Sequence, residues 1–115
     1  MAATFGVKLA STGQFYFNLM TEDGDILLSS ELYNAKPSAE NGVASAKKNA
    51  GEAARYERQT LDNGRFRFVL KAANGQVVGH SPMYANEADR ENILGLVQAQ
   101  APKAKVEDLT DKAPK

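Results

Sequence analysis

The chain has 115 residues, 43% hydrophobic and 24% charged, and its fourteen basic side chains balance fourteen acidic ones. These values indicate one globular domain with a modest core, and zero net charge provides no long-range field to attract nucleic acid or an anionic membrane. The absence of cysteine excludes disulfides, thiolate metal sites and cysteine nucleophiles.

Strands are predicted first along the chain, from an alternation of apolar and polar residues. Phe15, Phe17 and Leu19 alternate with polar or amphipathic neighbours, which is the period of a strand with one buried face. The glycines Gly13 and Gly24 follow Thr and Asp, and such pairs favour hairpin turns that need a positive φ. Three strands in a meander are therefore expected, with tight hairpins between them.

A helix is predicted over residues 36–50. Pro37 is tolerated in its first turn, where the missing N–H costs little, and Gly51 ends it. Its apolar stripe consists of Ala39, Val43, Ala46 and Ala50. We expect this helix to cover the apolar face of the sheet, and we expect a closing strand over residues 53–57.

The second half of the chain repeats the first at an offset of 51 residues. Between residues 13 and 50 this offset gives ten identities in thirty-eight positions, among them Phe15 with Phe66 and Phe17 with Phe68. A second helix is predicted over residues 87–101, with Asn86 as its N-cap, and a second closing strand after it. Aromatic residues that recur with the structural period are core residues in the simplest interpretation.

The repeated segments carry four motifs: the strand Gly-x-Phe-x-Phe-x-Leu, the Asp-Gly or Asn-Gly hairpin, Ser-x-x-Tyr after the third strand, and Glu-Asn in the helix. With these motifs the chain resembles the YegP-like family of small uncharacterised bacterial proteins. The resemblance implies a β3-α-β unit, present as tandem repeats or as two subunits, that forms one sheet with exchanged C-terminal strands. It implies no activity. A tandem copy supplies internally what single-repeat members gain by dimerising, so a monomer is favoured.

The predicted fold class is α+β, with two tandem β3-α-β repeats forming a single antiparallel sheet with exchanged C-terminal strands and two helices packed on one face. The domain is predicted over residues 1–109, with repeats at 1–51 and 52–102, a closing strand near 104–108 and a disordered tail at 110–115. Three positions depart from the family pattern. Ala35 lacks the usual capping hydroxyl, and Arg90 and Ile93 replace the small Ala39 and Gly42, so the second helix is expected to sit differently.

A polar set also recurs at the 51-residue offset, and core packing does not explain it. In the structural interpretation, its serines and asparagines hydrogen-bond the loop between sheet and helix. In the functional interpretation, its members line two equivalent pockets for a small ligand. The set consists of Ser30, Tyr33, Glu40, Asn41, Ser81, Tyr84, Glu91 and Asn92.

The sheet face turned away from the helices is predicted to be basic and aromatic. Such a surface can stack bases of single-stranded nucleic acid, although the zero net charge argues against that partner. A protein partner that uses this face or an edge strand is the competing interpretation. The residues expected there are Lys8, Gln14, Tyr16, Arg65, Arg67 and Lys71.

Motifs for catalysis or cofactor binding are missing from the sequence. His80 has no identified carboxylate or nucleophile partner, and Glu22, Asp23 and Asp25 lack the spacing of a calcium loop. We therefore predict a non-enzymatic binding domain without a cofactor or metal, its partner unknown, with an enzyme of unrecognised motif as the alternative. The start of the chain has no signal-peptide pattern and no segment has the length of a membrane span, so a cytoplasmic location is predicted.

Overall fold

The computed structural model describes residues 3–110 and contains the same order of elements twice. The first half comprises three strands and a helix: β1 (Ala3–Leu9), β2 (Phe15–Thr21), β3 (Ile26–Ser29) and α1 (Lys36–Ala50). The second half comprises β4 (Tyr56–Thr60), β5 (Phe66–Lys71), β6 (Val77–His80) and α2 (Glu87–Gln100), followed by β7 (Lys105–Asp108). Short 3-10 helices, Ala53–Arg55 and Ala101–Lys103, follow α1 and α2. The predicted α+β class is confirmed. Of the disordered tail predicted over residues 110–115, Thr110 forms a turn whose N–H and hydroxyl donate to the Asp108 carboxylate, and residues 111–115 lie outside the described residues.

All seven strands form one sheet in the order β4-β5-β6-β3-β2-β1-β7. The first six strands are antiparallel, whereas β7 runs parallel to β1, so the sheet is not wholly antiparallel as predicted. The direction of β7 follows from the chain path. The 3-10 helix after α2 contacts β1, and β7 therefore enters the sheet at the end where β1 begins.

The segment after α1 does not close the sheet as the segment after α2 does. Residues 53–55 form a 3-10 helix, and the chain then enters β4, which pairs antiparallel with β5 of its own half. The closing strand predicted over residues 53–57 is therefore wrong. The physical reason is that β4 begins at Tyr56, directly after the 3-10 helix, which leaves no residues for a separate closing strand.

All four hairpins share one loop geometry. In each, a backbone N–H donates to the C=O four residues later, and the N–H of the glycine in between donates back, as Thr21, Gly24 and Asp25 do at 3.0 Å. The loops thus contain three residues, with the glycine last, rather than the two residues that the Asp23-Gly24 and Asn74-Gly75 pairs suggest for a tight hairpin. Each glycine has φ between 79° and 89°, a conformation that side chains disfavour.

The core lies between the helices and one face of the sheet. The predicted stripe of α1 is buried throughout, and Leu94 and Val97 of α2 are buried opposite it. Phe17 and Phe68 are fully buried, and each makes an edge-to-face contact with an aromatic ring of the neighbouring strand. The Asn86 Oδ1 accepts a hydrogen bond from the Asp89 N–H at 2.8 Å, as predicted for the cap of α2.

The two helices contact their own halves differently. In the first half, the Tyr33 ring stacks on Phe17 and lies against Gly42, where a Cβ would be 2.6 Å from its hydroxyl oxygen. In the second half, Ile93 takes the place of that glycine. Arg90, which replaces Ala39, is 7% exposed and lies 5.4 Å above the Phe66 ring. The second half thus has a cation over an aromatic ring at a place where the first half has the small Ala39.

Candidate functional site

The outer edge of β4 is open, and the hydrogen bonds of β5 define which backbone groups it presents. Phe68 of β5 bonds to Ser81 on the β6 side through both its N–H and its C=O. Because backbone groups alternate in direction along a strand, Arg67 faces β4, where Gln59 is its partner. Arg58, one residue before Gln59, therefore directs its N–H and C=O away from the sheet.

Other backbone groups flank those of Arg58 on the same edge. The Tyr56 N–H is satisfied by the Ala53 C=O, but the Tyr56 C=O and the backbone of Thr60 point outward like those of Arg58. Within residues 3–110, no strand pairs with this side of β4. The edge consequently presents a short row of donors and acceptors, which is a template for another extended segment.

At the other end of the sheet, the equivalent edge of β1 is covered by β7. Val7, which corresponds to Arg58 at the 51-residue offset, accepts a hydrogen bond from the Leu109 N–H at 2.8 Å. β7 covers β1 over four register pairs, from Thr4 with Lys105 to Val7 with Asp108. Val7 is 2% exposed beneath it, whereas Arg58 and its neighbour Glu57 are exposed.

Side chains on both faces of β4 are engaged in polar contacts. On the face away from the helices, the Lys71 Nζ lies 2.7 Å from a Glu57 oxygen, and the Arg67 Nε donates to the Gln59 Oε1 at 2.7 Å. Hydrogen bonds from Lys71 and Gln59 lower the pKa of Glu57. On the helix face, the Arg58 Nε donates to the Glu91 Oε1 at 2.8 Å. These contacts position the side chains and leave the outward backbone groups available.

The serines of the polar set have matching roles in the two halves. The Ser30 Oγ accepts from the Phe17 N–H at 2.9 Å and donates to the Glu31 C=O, and the Ser81 Oγ accepts from the Phe68 N–H at 3.0 Å and donates to the Pro82 C=O. Both serines are buried. Each therefore joins the end of its third strand to the neighbouring strand, and the backbone donor explains why a hydroxyl is needed twice.

The remaining members of the polar set are dispersed. Glu40, Asn41 and Asn92 are exposed on the helices, and neither asparagine amide has a hydrogen-bond partner among residues 3–110. The structural interpretation is therefore wrong for the asparagines, because their helix positions turn them toward solvent. Glu91 pairs with Arg58 and Arg90.

The two tyrosines of the set are half-buried, and burial is the main cause that raises their pKa. The Coulombic effect of Glu31 adds to this for Tyr33, and that of Asp89 adds for Tyr84. The Tyr33 ring packs on α1, as described above. Tyr84 lines a cleft beside α2 instead. The same repeated residue therefore has different surroundings in the two halves.

Two clefts lie between a helix and a hairpin of the other half. The first, beside α2, has a volume of about 540 Å³ and is lined mostly by apolar side chains, and the second, beside α1, has about 460 Å³ and more polar walls. Of the eight polar-set residues, only Tyr84 lines one of these two clefts. Representative lining residues are Ile26, Ile93 and Leu96 in the first, and Ser45, Lys48 and Asn74 in the second.

The residues of the predicted basic face are divided into two groups. Lys8 and Tyr16 are directly opposite each other on β1 and β2, whereas Arg67 and Lys71 lie on β5, with Arg65 just before it. Strands β6 and β3 separate β5 from β2, which places the groups about 14 Å apart. Between them lie Asn18 of β2, Ser29 of β3, His80 of β6 and Val69 of β5.

The architecture defines a class of small α+β protein built on one seven-stranded sheet, and among the described residues no group of three or more His, Asp or Glu side chains could hold a metal ion. The family model described as "Domain of unknown function (DUF1508)" matches residues 10–57 and again residues 62–108. The chain belongs to this family.

Relatives and solved structures agree with this assignment. The UPF0339 protein PA0329 of Pseudomonas aeruginosa is 47% identical over 94% of this chain and 98% of its own length. The solution NMR structure of yegP from Escherichia coli is 42% identical, with a TM-score of 0.89 over 98% of this chain and 97% of that chain. For the UPF0339 protein SO3888 of Shewanella oneidensis the TM-score is 0.90 at 36% identity, over 97% and 95%.

The residues of the β4 edge were not among the site residues predicted from the sequence. A signal for them exists at the 51-residue offset, because Glu57, Arg58 and Thr60 stand where β1 has Gly6, Val7 and Leu9. Because β4 has polar residues where the covered strand β1 has apolar ones, this difference indicates that the edge of β4 is exposed to solvent. Among residues 3–110, no helix has both the length and the apolar character needed to cross a membrane.

Proposed function

We propose that this protein is a non-enzymatic cytoplasmic binding module that takes up an extended segment of another polypeptide as an additional strand on β4. The observation that supports the proposal is the asymmetry of the sheet, in which β7 covers β1 while the corresponding edge of β4 is open. Strand addition to an exposed edge is a general mode of peptide recognition, with backbone hydrogen bonds giving affinity and side chains giving selectivity.

The outer strand β7 is the less suitable edge for such a partner. It has only four residues, all of them exposed, and shortness and charge are the usual protections of an edge strand. β4 has five residues and pairs with β5, and its Tyr56, which is 8% exposed, donates a hydrogen bond from its hydroxyl to the Ala50 C=O at the end of α1. A partner on β4 therefore extends a strand that is already anchored in the core.

Single-stranded nucleic acid is the weaker candidate for this surface. Arg67 and Lys71 engage Gln59 and Glu57, so the carboxylate cancels part of the basic charge beside β4. Tyr16, the aromatic residue predicted to stack bases, lies about 14 Å away across two intervening strands. A polypeptide needs neither a continuous basic track nor a row of aromatic rings, because it bonds to the backbone of β4.

The decisive variant is Arg58→Pro, because proline removes the outward N–H without touching the β4–β5 hydrogen bonds. Arg58→Ala is the matched control, since it loses the same side chain and the same contact with Glu91 but keeps the N–H. Peptides selected from a displayed random library on the wild-type protein should bind the Arg58→Ala variant and lose at least tenfold in affinity on the Arg58→Pro variant.

The site of binding is checked by amide chemical shifts in the same samples. The selected peptides should shift the amides of Arg58 and Thr60 most strongly, and the Arg58→Pro variant should keep the dispersed spectrum of a folded protein. Failure of the library to yield any binder, or equal affinity for the two Arg58 variants, contradicts strand addition at β4.

A further inference from the structure

The contact between α1 and β7 shows how this fold selects the side chain of a strand on its edge. The Lys36 Nζ, in the first turn of α1, forms an ion pair with the Asp108 carboxylate of β7. Asp108 is the register partner of Val7 in β1, so its side chain lies on the helix side of the sheet. A charge at the start of the helix thus contacts one defined position of the edge strand.

The corresponding charge at the β4 edge has the opposite sign. At the 51-residue offset, Lys36 corresponds to Glu87 in the first turn of α2. The Glu87 side chain is 70% exposed, and among residues 3–110 its carboxylate has only a long contact of 3.8 Å with Arg90. A strand that paired with β4 as β7 pairs with β1 would place its own counterpart of Asp108 near Glu87. Arg58, the residue directly opposite that position, is already paired with both oxygens of Glu91. The Glu87 carboxylate therefore acts on the incoming side chain, where it repels an acidic residue and attracts a basic one.

The other face of the edge restricts the next position of the incoming strand. On β1, the Leu109 side chain lies over Gly6, where a Cβ would come within 2.9 Å of the Leu109 Cδ1. The position on β4 that corresponds to Gly6 is Glu57, whose side chain is held by Lys71. A residue as large as leucine would collide with it, so a small residue fits this place.

Building on the proposed function, we infer that the segment bound at β4 runs parallel to it and carries a basic residue opposite Arg58, facing Glu87, followed by a small residue beside Glu57. The partner that fits these two positions is a different polypeptide and not a second copy of this chain. The β7 strand of a second copy would place Asp108 against Glu87 and Leu109 against Glu57, and both contacts are unfavourable.

Two peptides derived from β7 test this selection. The first is acetyl-Lys-Val-Glu-Arg-Ala-Thr-amide, in which arginine and alanine replace the counterparts of Asp108 and Leu109. The second has glutamate in place of the arginine. Each is titrated at low salt into the wild-type full chain and into the Glu87→Lys variant, and the amide shifts of β4 give the affinities. Asp23→Lys is the matched control, because it makes the same charge change in the exposed β2–β3 loop.

The arginine peptide should bind wild type about fivefold more tightly than the glutamate peptide, as an exposed ion pair exchanged for repulsion allows. Glu87→Lys should reverse this order, and Asp23→Lys should leave it unchanged. Equal affinity of both peptides at β4 overturns the charge selection and leaves strand addition standing. If neither peptide shifts the β4 amides while library-selected peptides do, the parallel register taken from β7 is wrong. If neither the two designed peptides nor any library-selected peptide shifts the β4 amides, the proposed function itself is wrong.

Discussion

Gly42 of α1 lies directly under the Tyr33 ring, and a Cβ there would be 2.6 Å from the Tyr33 Oη and 2.9 Å from the Phe17 Cε2. A Cβ added at Gly95 of α2 would instead lie in open space, with nothing within 4 Å of it. Alanine substitution should therefore act in opposite directions. We expect Gly42→Ala to lower the free energy of unfolding by about 1–3 kcal/mol through overpacking, and Gly95→Ala to raise it by about 0.5–1 kcal/mol through helix propensity.

Urea unfolding followed by circular dichroism measures both free energies. Each variant is the control for the other, because both changes add one methyl group to a helix glycine with an unstrained backbone. A general effect of alanine would therefore change both free energies of unfolding in the same direction. A stabilised Gly42→Ala variant would show that the Tyr33 ring moves aside, contrary to the packing described here.

The same residues show where sequence reasoning succeeds and where it stops. Repetition of Ser30 and Ser81 was sufficient to indicate a structural hydroxyl, since a buried backbone N–H needs a partner at the same place in each half. The repeated Asn41 and Asn92 have no such partner among the described residues. Identity at two equivalent positions shows that a residue recurs, but the atom that it contacts depends on the packing of the helix.

At the scale of elements, an ion pair with α1 adds to the backbone pairing that holds β7 on β1. The Asp108 carboxylate accepts hydrogen bonds from Lys36 and Thr110, and these bonds hold its pKa well below the usual range. Because the folded pKa is the lower one, ionised Asp108 stabilises the fold fully above the unfolded value of about 3.9, and this contribution is lost progressively as the pH falls from there through the folded pKa. Wild type and Asp108→Asn should therefore differ in melting temperature at neutral pH and converge in acid.

Thermal melts between about pH 7 and pH 2 test this expectation. Asp23→Asn is the control, because Asp23 is an exposed aspartate of the β2–β3 loop. A difference between wild type and Asp108→Asn that stays constant or grows as the pH falls would contradict the role of the Lys36 ion pair in holding β7.

Most elements could be predicted because local rules decide them. Alternation defined β2 and β5, and Asn86 marked the start of α2. The direction of β7 and the open edge of β4 could not, because they depend on where a chain leaves a helix relative to a strand about a hundred residues away. No propensity or period within a short window contains that information.

In the whole molecule, the two halves are joined both in the sheet and through the helices. In the sheet, β7 pairs with β1 over four register positions, and Ser29 with His80 is the register pair that links β3 to β6. Across the core, α1 contacts β5 and β6 of the second half, and α2 contacts β3 of the first. Leu28 and Gly79, which correspond at the 51-residue offset, also interlock, since a Gly79 Cβ would be 2.8 Å from the Leu28 Cγ. One hydrophobic cluster thus includes residues of both halves.

A shared core of this kind predicts that neither half unfolds alone. Scanning calorimetry should give one transition, with calorimetric and van't Hoff enthalpies equal. Tryptophan reporters placed at equivalent positions, Phe15→Trp in the first half and Phe66→Trp in the second, sharpen the test, because both positions are half-buried. In each reporter protein, the fluorescence midpoint in urea should coincide with that from circular dichroism. Separate midpoints for the two halves would mean that the contacts of each helix with the opposite half contribute less than those with its own half.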